Sequence, residues 1–311
     1  MRGNTAFSSV LVLSLAICAV CVMAGSADGS IIVYEGFQYG TAAASRTGAD
    51  LLHGQPDGTG GDVNATGLGG TWQDSAGPGT NTDLFLASGS LPFGDLSTSG
   101  NHVRSDTNNN NDTFSRPVTG DLDSGSELWF SVLANKLQNN FSAAEGGMVI
   151  GNQTVNNSRI LSDSGSTGLA GFGVAPTTAG NNWTAYAWNG SSQSVGDAVL
   201  NVATNGSETH LLVGKISFDT GTNGADEYTL YEYLLNGGSI VGGSLSQICS
   251  TMEVDVDQST LDTLSLTRQV NTAYDEIRIG TSFDDVVVPE PATLGLLTMG
   301  GLFALRRRRV A

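Results

Sequence analysis

Short runs of β-forming residues, separated by clusters of Gly, Asn, Asp and Ser, constrain the middle of this chain more than any other feature. Between residues 28 and 287 no segment shows a sustained helical period. The runs predict strands at 31–34, 84–87, 127–134, 148–151, 169–174, 183–188, 210–218, 227–235, 263–267 and 276–280. This pattern indicates an all-β sandwich, and roughly 200 to 250 residues of such a sandwich commonly form one domain.

The clearest turn signal lies between two of these predicted strands. Residues 219–226 join the runs 210–218 and 227–235, and they contain the pair Asn223-Gly224, which is typical of a hairpin. Two longer segments, 41–80 and 97–121, are polar and Gly-rich and are predicted to be surface coil.

The charge balance excludes one large class of function. The chain has 30 Asp plus Glu against 13 Lys plus Arg, a net charge of −17. A surface this anionic repels a phosphate backbone, so nucleic acid is not an expected partner. Nearly all the acids lie between residues 28 and 287, which predicts a soluble, acidic domain.

The N-terminus has the parts of an export signal. Arg2 gives a positive start, residues 10–22 form an apolar run, and small residues follow at 24–27. The run of about 13 residues is short for a membrane span, which takes roughly 20. Residues 1–27 are therefore predicted to be a signal peptide, read by the export machinery and removed by signal peptidase.

Removal of that peptide leaves Cys249 as the one cysteine, so no intramolecular disulfide is expected. We interpret Cys249 as a small buried strand residue; a reactive or intermolecular thiol is the alternative.

The C-terminal segment 288–311 is the most specific feature of the sequence. Its apolar stretch at 292–305 would rise about 21 Å as a helix, short for a hydrocarbon core of ~30 Å. Terminal arginines hold that end on the cytoplasmic side of the membrane. The segment thus predicts a short transmembrane helix between a Pro-Glu-Pro motif and an arginine cluster: Pro289, Glu290, Pro291, Arg306, Arg307, Arg308 and Arg309.

This three-part tail resembles the PEP-CTERM sorting signal of exported bacterial proteins. The resemblance implies export, transient anchoring, cleavage near the Pro-Glu-Pro motif by an exosortase-type protease, and release to the cell surface or an exopolysaccharide matrix. A plain membrane anchor that is never processed is the alternative.

Three segments of the domain at 28–287 carry a second resemblance. They are 34–37 (Tyr-Glu-Gly-Phe), 210–218 with its hairpin, and 274–286, which contains Asp-Glu-Ile-Arg-Ile-Gly. Together they are similar to LamG-like, concanavalin A-like modules of exported bacterial proteins. The resemblance implies a jelly-roll sandwich of two antiparallel sheets, closed by the Asp-Glu-Ile-Arg-Ile-Gly strand. That fold hosts lectins, glycosidases and inert spacers, so it fixes no activity.

Three carboxyl groups, Glu253, Asp255 and Asp257, alternate along the chain and therefore share one face of a strand. Retaining glycosidases need two carboxyls about 5.5 Å apart. Similarity to the concanavalin-like laminarinases would make Glu253 the nucleophile, Asp255 a helper and Asp257 the acid. Asp257 stands where that pattern has Glu, and the usual aromatic lining is missing, so a solvated acidic face is favoured over catalysis.

Calcium is the one cofactor for which candidate ligands are present. Neither group of candidates fits an EF-hand loop, and ordinary Asx turns are the favoured interpretation. His53, His102 and His210 have no zinc-site spacing. The calcium candidates are Asp121 and Asp123 in one run and Asp219, Asn223 and Asp226 in the other.

Tryptophan side chains can stack on sugar rings, and Trp183 and Trp188 are the candidates here. They are five residues apart and face opposite sides of a regular strand, so only one of them can line a groove. A core role is favoured for both, and Trp129 in its apolar run is also predicted to be core.

Taken together, these features favour an exported, surface-sorted and non-catalytic β-sandwich whose partner is polysaccharide. A glycoside hydrolase on the same scaffold and a purely structural spacer are the alternatives.

Overall fold

The computed structural model describes residues 30–39, 52, 65–74, 84–96, 98, 100–105, 112–123, 125–136, 146–152, 168–176, 182–195, 208–268 and 272–287. The predicted signal peptide, the tail at 288–311 and His53 lie outside these residues. Within them, no helix is long and apolar enough to cross a membrane.

The described residues form sixteen strands and one short α-helix. In chain order these are β1 (Ile31–Glu35), β2 (Gln73–Asp74), β3 (Phe85–Ser88), β4 (Asn101–Arg104), β5 (Asp112–Pro117), β6 (Glu127–Lys136), β7 (Gly147–Gly151), β8 (Ala170–Pro176), β9 (Trp183–Asn189), β10 (Gln193–Val195), β11 (Thr209–Ser217), β12 (Asp226–Asn236), β13 (Ser239–Gln247), β14 (Met252–Val254), β15 (Thr263–Arg268), β16 (Thr272–Gly280) and α1 (Phe283–Val287).

The strands build two antiparallel sheets. The nine-stranded sheet has the order β13-β12-β11-β6-β16-β4-β3, with β1 on β16 and β14 on β12; the seven-stranded sheet has the order β10-β9-β8-β7-β15-β5-β2. The last two strands therefore return to the middle: β15 lies between β5 and β7, and β16 between β4 and β6. This is the strand arrangement of a concanavalin A-like jelly roll, and it confirms the predicted fold class.

Alternation along the strands places the main core between the sheets. In β6 the side chains of Leu128, Phe130 and Val132 point inward and are buried in one continuous apolar cluster with the inward residues of β9, including Trp183. One hydrogen bond crosses the core, from the hydroxyl of Tyr228 to the carbonyl oxygen of Gly173, 2.9 Å away.

All ten predicted strands are present, with ends that differ by a few residues. The predicted hairpin is also confirmed, since β11 and β12 pair on either side of the turn. Asn223 and Gly224 both have left-handed backbone, at φ 60° and 82°, which is why this pair suits the turn.

The prediction of coil at 41–80 and 97–121 is wrong in part, because β2, β4 and β5 lie there. β5 reads as polar, yet Phe114 fills the core and Arg116 is fully buried against Glu35. A buried arginine is tolerated only because its partner comes from a distant part of the chain.

A β-bulge in β16 explains the spacing of the Asp-Glu-Ile-Arg-Ile-Gly segment. Its register against β6 shifts between Asp275 and Arg278, so Tyr274, Ile277 and Ile279 all reach the same core despite their uneven spacing. Glu276, at the bulge, has a left-handed φ of 48°, which is rare for a residue with a side chain.

The outer face of the nine-stranded sheet carries a second apolar cluster. The outward residues Leu133, Leu211 and Val213 are buried under the segment 91–96 and α1. Trp129, predicted to be a core residue, lies here: it is partly buried, packs against this outer cluster and is edge-on to Phe283. Alternation with Leu128 and Phe130 puts it on the outer side.

Hydrogen bonds fasten the cover of this face. An Asp275 side-chain oxygen accepts from the Leu91 amide at 2.8 Å, an Asp95 oxygen accepts from the Ile240 amide at 2.6 Å, and the Ser131 hydroxyl donates to the Val286 carbonyl at 2.6 Å. The described cover is therefore tied to the sheet as well as packed on it.

Candidate functional site

A buried ionic network connects the two sheets. Glu35 on β1 and Arg116 on β5 form an ion pair of 2.9 Å, and both side chains are fully buried. Tyr39 donates to the same Glu35 oxygen at 2.8 Å, and the Trp72 indole donates to the Tyr39 hydroxyl at 3.0 Å. The Phe37 amide donates to the other Glu35 oxygen at 2.9 Å.

This network explains why the segment 34–37 reads as a motif. Burial, and then the Glu35 carboxylate, raise the pKa of Tyr39 far above its usual range, so the phenol stays a donor. A buried charge pair needs hydrogen bonds to offset its desolvation. The Glu35 carboxylate receives them from Phe37, Tyr39 and Arg116, while the buried Arg116 Nη2 atom has no partner among the described residues. The role of the ion pair is to hold the sheets in register.

The three acids proposed for glycosidase chemistry lie at the edge of the nine-stranded sheet. Glu253, Asp255 and Asp257 are exposed, while Met252, Val254 and Val256 alternate with them and are buried. The strand β14 ends at Val254, so of the three acids only Glu253 lies on it. Glu253 accepts a hydrogen bond from the Thr222 hydroxyl at 3.0 Å. Asp257 accepts from the Ser259 amide and caps a 3-10 turn.

Asp226 and Asp121, two of the candidate calcium ligands, accept hydrogen bonds from backbone amides. Both Asp226 oxygens accept amide hydrogen bonds, from Asp219 at 3.1 Å and from Val256 at 2.9 Å. Asp121 accepts from the Asp123 amide. Asn223 occupies the hairpin turn. Among the described residues no three His, Cys, Asp or Glu side chains are grouped to hold a metal ion.

The histidines and the cysteine each have a local environment. The Nδ1 atom of His210 is 2.7 Å from a Glu232 oxygen, and His102 contacts the Gly89 carbonyl. Cys249 is a free, buried thiol, as predicted, although it makes an isolated bridge and lies outside the named strands. Burial raises the pKa of this thiol.

The two candidate tryptophans face opposite sides of β9, as their spacing predicts. Trp183 is fully buried in the inter-sheet core, so it is not a sugar platform. Trp188 lies on the outer face of the seven-stranded sheet, but only 2% of it is exposed. Both rings are thus buried, as the favoured core role predicts.

Trp188 nevertheless belongs to a distinct aromatic pair. Its ring stacks on Tyr186 with centroids 6.1 Å apart and planes 15° apart. The ring lies over Gly173: a Cβ atom there would come within 3.2 Å of the Trp188 Cζ3 atom and 2.6 Å of the Met148 carbonyl oxygen. Among the described residues, none accepts a hydrogen bond from the buried Trp188 Nε1.

Side chains with hydroxyl groups extend from this aromatic pair across the outer face of the seven-stranded sheet. Register places Tyr186, Gly173, Val149, Ser265 and Ser115 side by side on β9, β8, β7, β15 and β5. Ser115 and Ser265 are 2.9 Å apart through their hydroxyl oxygens. We name this set the hydroxyl-aromatic face, together with its neighbours Thr113, Thr184, Thr263, Thr267 and Trp188.

No described residue of this face is charged, and its hydroxyl and aromatic side chains are all buried. Stacked rings next to hydroxyls supply both the apolar surface and the hydrogen-bonding groups that a neutral sugar ring uses. The sequence pointed to the aromatic residues Trp188 and Tyr186 of this strand but not to the Ser and Thr rows. The signal for them was the alternation of Ser and Thr in 113–115 and 263–267.

Comparison with protein families identifies one segment. The PEP-CTERM protein-sorting motif matches residues 287–309, which confirms the resemblance of the tail. The chain is thus an exported protein with a membrane-anchored C-terminal sorting signal. No curated protein matches the sequence.

Several solved structures are similar to the chain at low identity. The T. cruzi calreticulin globular domain is 12% identical with a TM-score of 0.46, covering 90% of this chain and 99% of that one. The VIP36 exoplasmic/lumenal domain, in a form bound to Ca2+ and Man3GlcNAc, is 9% identical with a TM-score of 0.42, covering 80% and 93%.

Proposed function

We propose that this protein is delivered by its PEP-CTERM tail to the cell surface or the extracellular matrix, where its β-sandwich binds a neutral polysaccharide without cleaving it. An exosortase-type protease would act on the tail. The proposal takes its strongest support from one observation: on the hydroxyl-aromatic face Trp188, stacked on Tyr186, has a buried Nε1 group with no acceptor among the described residues.

The chemistry of that face suits a neutral ligand better than an anionic one. A polysaccharide rich in carboxylates would be repelled by the acidic surface unless cations bridged the two. Neutral sugar rings can stack on Trp188 and Tyr186, and their hydroxyls can accept from the Trp188 Nε1 group, which has no acceptor among the described residues.

The burial of this face determines the association rate that we expect for a sugar. Only 2% of Trp188 and 4% of Tyr186 is exposed, so a sugar can reach the rings only if the face opens. Association that requires such a change is slower than the usual 10⁵–10⁷ M⁻¹s⁻¹, by the order-of-magnitude scale for protein association.

The test is a glycan array probed with the full-length protein, with and without calcium, with every hit assayed for hydrolysis products. Trp188→Phe should weaken binding roughly fivefold, because it removes one donor worth about 1 kcal/mol. The matched control Trp129→Phe, on the opposite outer face, should bind like wild type. Equal loss in both variants, or no binding at all, would contradict the proposal.

The hydrolase alternative is tested on the same samples. Cleavage of a bound glycan that disappears in Glu253→Gln would establish an enzyme and replace the binding proposal. The Thr222 and Ser259 contacts of Glu253 and Asp257 give these acids structural partners at the sheet edge, which is why binding is proposed in preference.

A further inference from the structure

The helix α1 and the sorting motif share a residue. α1 ends at Val287, and the PEP-CTERM motif matches from residue 287 onward. Val286 and Val287 are each 1% exposed and belong to the apolar cluster on the outer face of the nine-stranded sheet. The sorting motif therefore begins on a residue that is packed into the folded domain.

α1 is too short to be stable by itself. It has five residues, whereas isolated helices shorter than about 12–15 residues are marginal in water. Its first turn is capped, because the Ser282 amide donates to an Asp285 carboxylate oxygen at 2.8 Å and the Asp285 amide donates to the Ser282 hydroxyl at 3.4 Å. This cap shapes the turn but does not join it to the sheet, so the position of α1 depends on its contacts with the strands below.

Those contacts come from the two ends of the helix. At its start the Phe283 ring lies 5.7 Å from the Trp129 ring and 6.1 Å from the Tyr233 ring, measured between centroids. At its end the Ser131 hydroxyl donates to the Val286 carbonyl oxygen at 2.6 Å. A segment held by so small a set of contacts opens at a lower free energy than the whole domain unfolds.

The sequence leaves little chain between the docked helix and the membrane. Residues 288–291 alone separate the buried Val287 from the apolar stretch at 292–305, and fully extended they span at most about 13–14 Å. Detachment of α1 adds residues 283–287 and raises that span to about 30–32 Å. A protease that binds extended chain on both sides of the bond it cuts therefore has far more room once α1 has left the sheet.

We propose that α1 gates the processing of the sorting tail: the Pro-Glu-Pro motif is a poor protease substrate while α1 is docked and becomes a good one when α1 detaches. The gate presupposes the tail cleavage proposed above. Because α1 opens locally, the rate of cleavage follows the fraction of chains in which it is detached. The folded domain, and not the tail alone, then sets how long the protein stays anchored.

Loosening the helix tests the gate. In the full-length chain, expressed in the cells that make it, Phe283→Ala should speed removal of the tail by at least about fivefold, followed as a mass shift on immunoblots. Hydrogen exchange of the amides of 283–287 in the purified protein should accelerate with it. The control Leu169→Ala weakens the apolar cluster on the other sheet and should be processed like wild type. Faster exchange with unchanged processing, or equal acceleration in both variants, overturns the gate.

Lengthening the linker provides the second measurement. An insertion of about six Gly and Ser residues after Val288 adds roughly 12–15 Å of reach and leaves Pro289, the apolar stretch and the arginines in their order. It should speed processing of the wild-type domain and leave Phe283→Ala without a further effect, because the motif is then free whether or not α1 is docked. Multiplied effects of the two changes refute the gate. Absence of tail removal in every variant refutes the proposed cleavage itself, and the gate with it.

Discussion

The two outer faces of the sandwich are built from different chemistry. On the nine-stranded sheet, aliphatic and aromatic side chains pack against segment 91–96 and α1. That cover is fastened by a hydrogen bond that Ser131 donates and one that Asp275 accepts. On the seven-stranded sheet, the apolar cluster has five residues, all from β7, β8, β9 or Leu169 just before β8, and hydroxyl rows occupy the rest. One face carries a second apolar core; the other carries buried hydroxyl groups beside a stacked Tyr-Trp pair.

The ion pair of Glu35 and Arg116 between the sheets should give the largest loss of unfolding free energy, with which substitutions on the two outer faces can be compared. Arg116→Met leaves the Glu35 carboxylate buried without its cation, and should lower the free energy of unfolding by about 3–5 kcal/mol. Urea denaturation measures the change. Arg104→Met, at a partly buried arginine over the Phe85 ring, is the matched control and should cost clearly less; equal losses would mean that the pair does not hold the sheets together.

Identical substitutions on the two outer faces test the comparison itself. Leu133→Ala should cost about 2–5 kcal/mol of unfolding free energy, the range for a cavity in a well-packed core. Leu169→Ala, in the five-residue cluster, should cost at least about 1 kcal/mol less because fewer apolar neighbours lose contacts. Both are read from denaturant unfolding, and similar values would abolish the distinction between the faces.

The pH dependence of the unfolding free energy should reveal the buried Asp275 carboxyl, which accepts a hydrogen bond from the Leu91 amide. Burial raises the pKa of this carboxyl well above its ordinary value of 3.8, so the folded protein holds a proton that the unfolded chain releases. The contribution to stability is complete below pH 3.8 and is lost as the pH rises toward the folded pKa, by at most about 1.4 kcal/mol per pH unit.

Asp275→Asn removes that titration, so the wild-type stability should fall relative to the variant as the pH rises above 3.8. Thermal unfolding at a series of pH values measures the difference. The exposed Asp284→Asn is the control and should run parallel to wild type. Parallel curves for Asp275→Asn as well would show that this carboxyl is ionised when folded.

The smallest changes in unfolding free energy are expected when a serine hydroxyl is removed. Ser131→Ala leaves the Val286 carbonyl of α1 without this donor and should cost about 1–2 kcal/mol. Ser265→Ala on the hydroxyl-aromatic face breaks the bond to Ser115 and should cost less, about 0.5–1 kcal/mol. A larger loss of unfolding free energy for Ser265→Ala than for Ser131→Ala would mean that the stronger hydrogen bond lies on the seven-stranded sheet.

The local sequence pattern was enough to predict the ten strands and the hairpin, because β-branched and aromatic residues favour extended backbone. The pattern did not predict strands whose burial depends on a residue far away in the sequence. β5 looks like coil until Glu35, 81 positions earlier, neutralises Arg116, and the Gly- and Ser-rich β13 has no packing signal of its own.

The candidate site was predictable only through the alternation of β9. Spacing placed Trp183 and Trp188 on opposite faces, but could not say which face was the core. That depends on the pairing of β9 with β8 and on the glycine at position 173, which leaves room for the outer ring. Both are properties of the assembled sheet.

The position of β15 and β16 bears on when this protein can fold. Each is the central partner of two strands made much earlier: β15 separates β5 from β7, and β16 separates β4 from β6. The seven-stranded sheet cannot close until residue 268 has crossed the membrane, and the nine-stranded sheet cannot close until residue 280 has crossed; the sorting motif begins at residue 287. Completion of the fold and arrival of the tail at the membrane should therefore be nearly one event, so a chain cut short before β16 would reach the far side with its nine-stranded sheet in two open halves whose edges are unpaired.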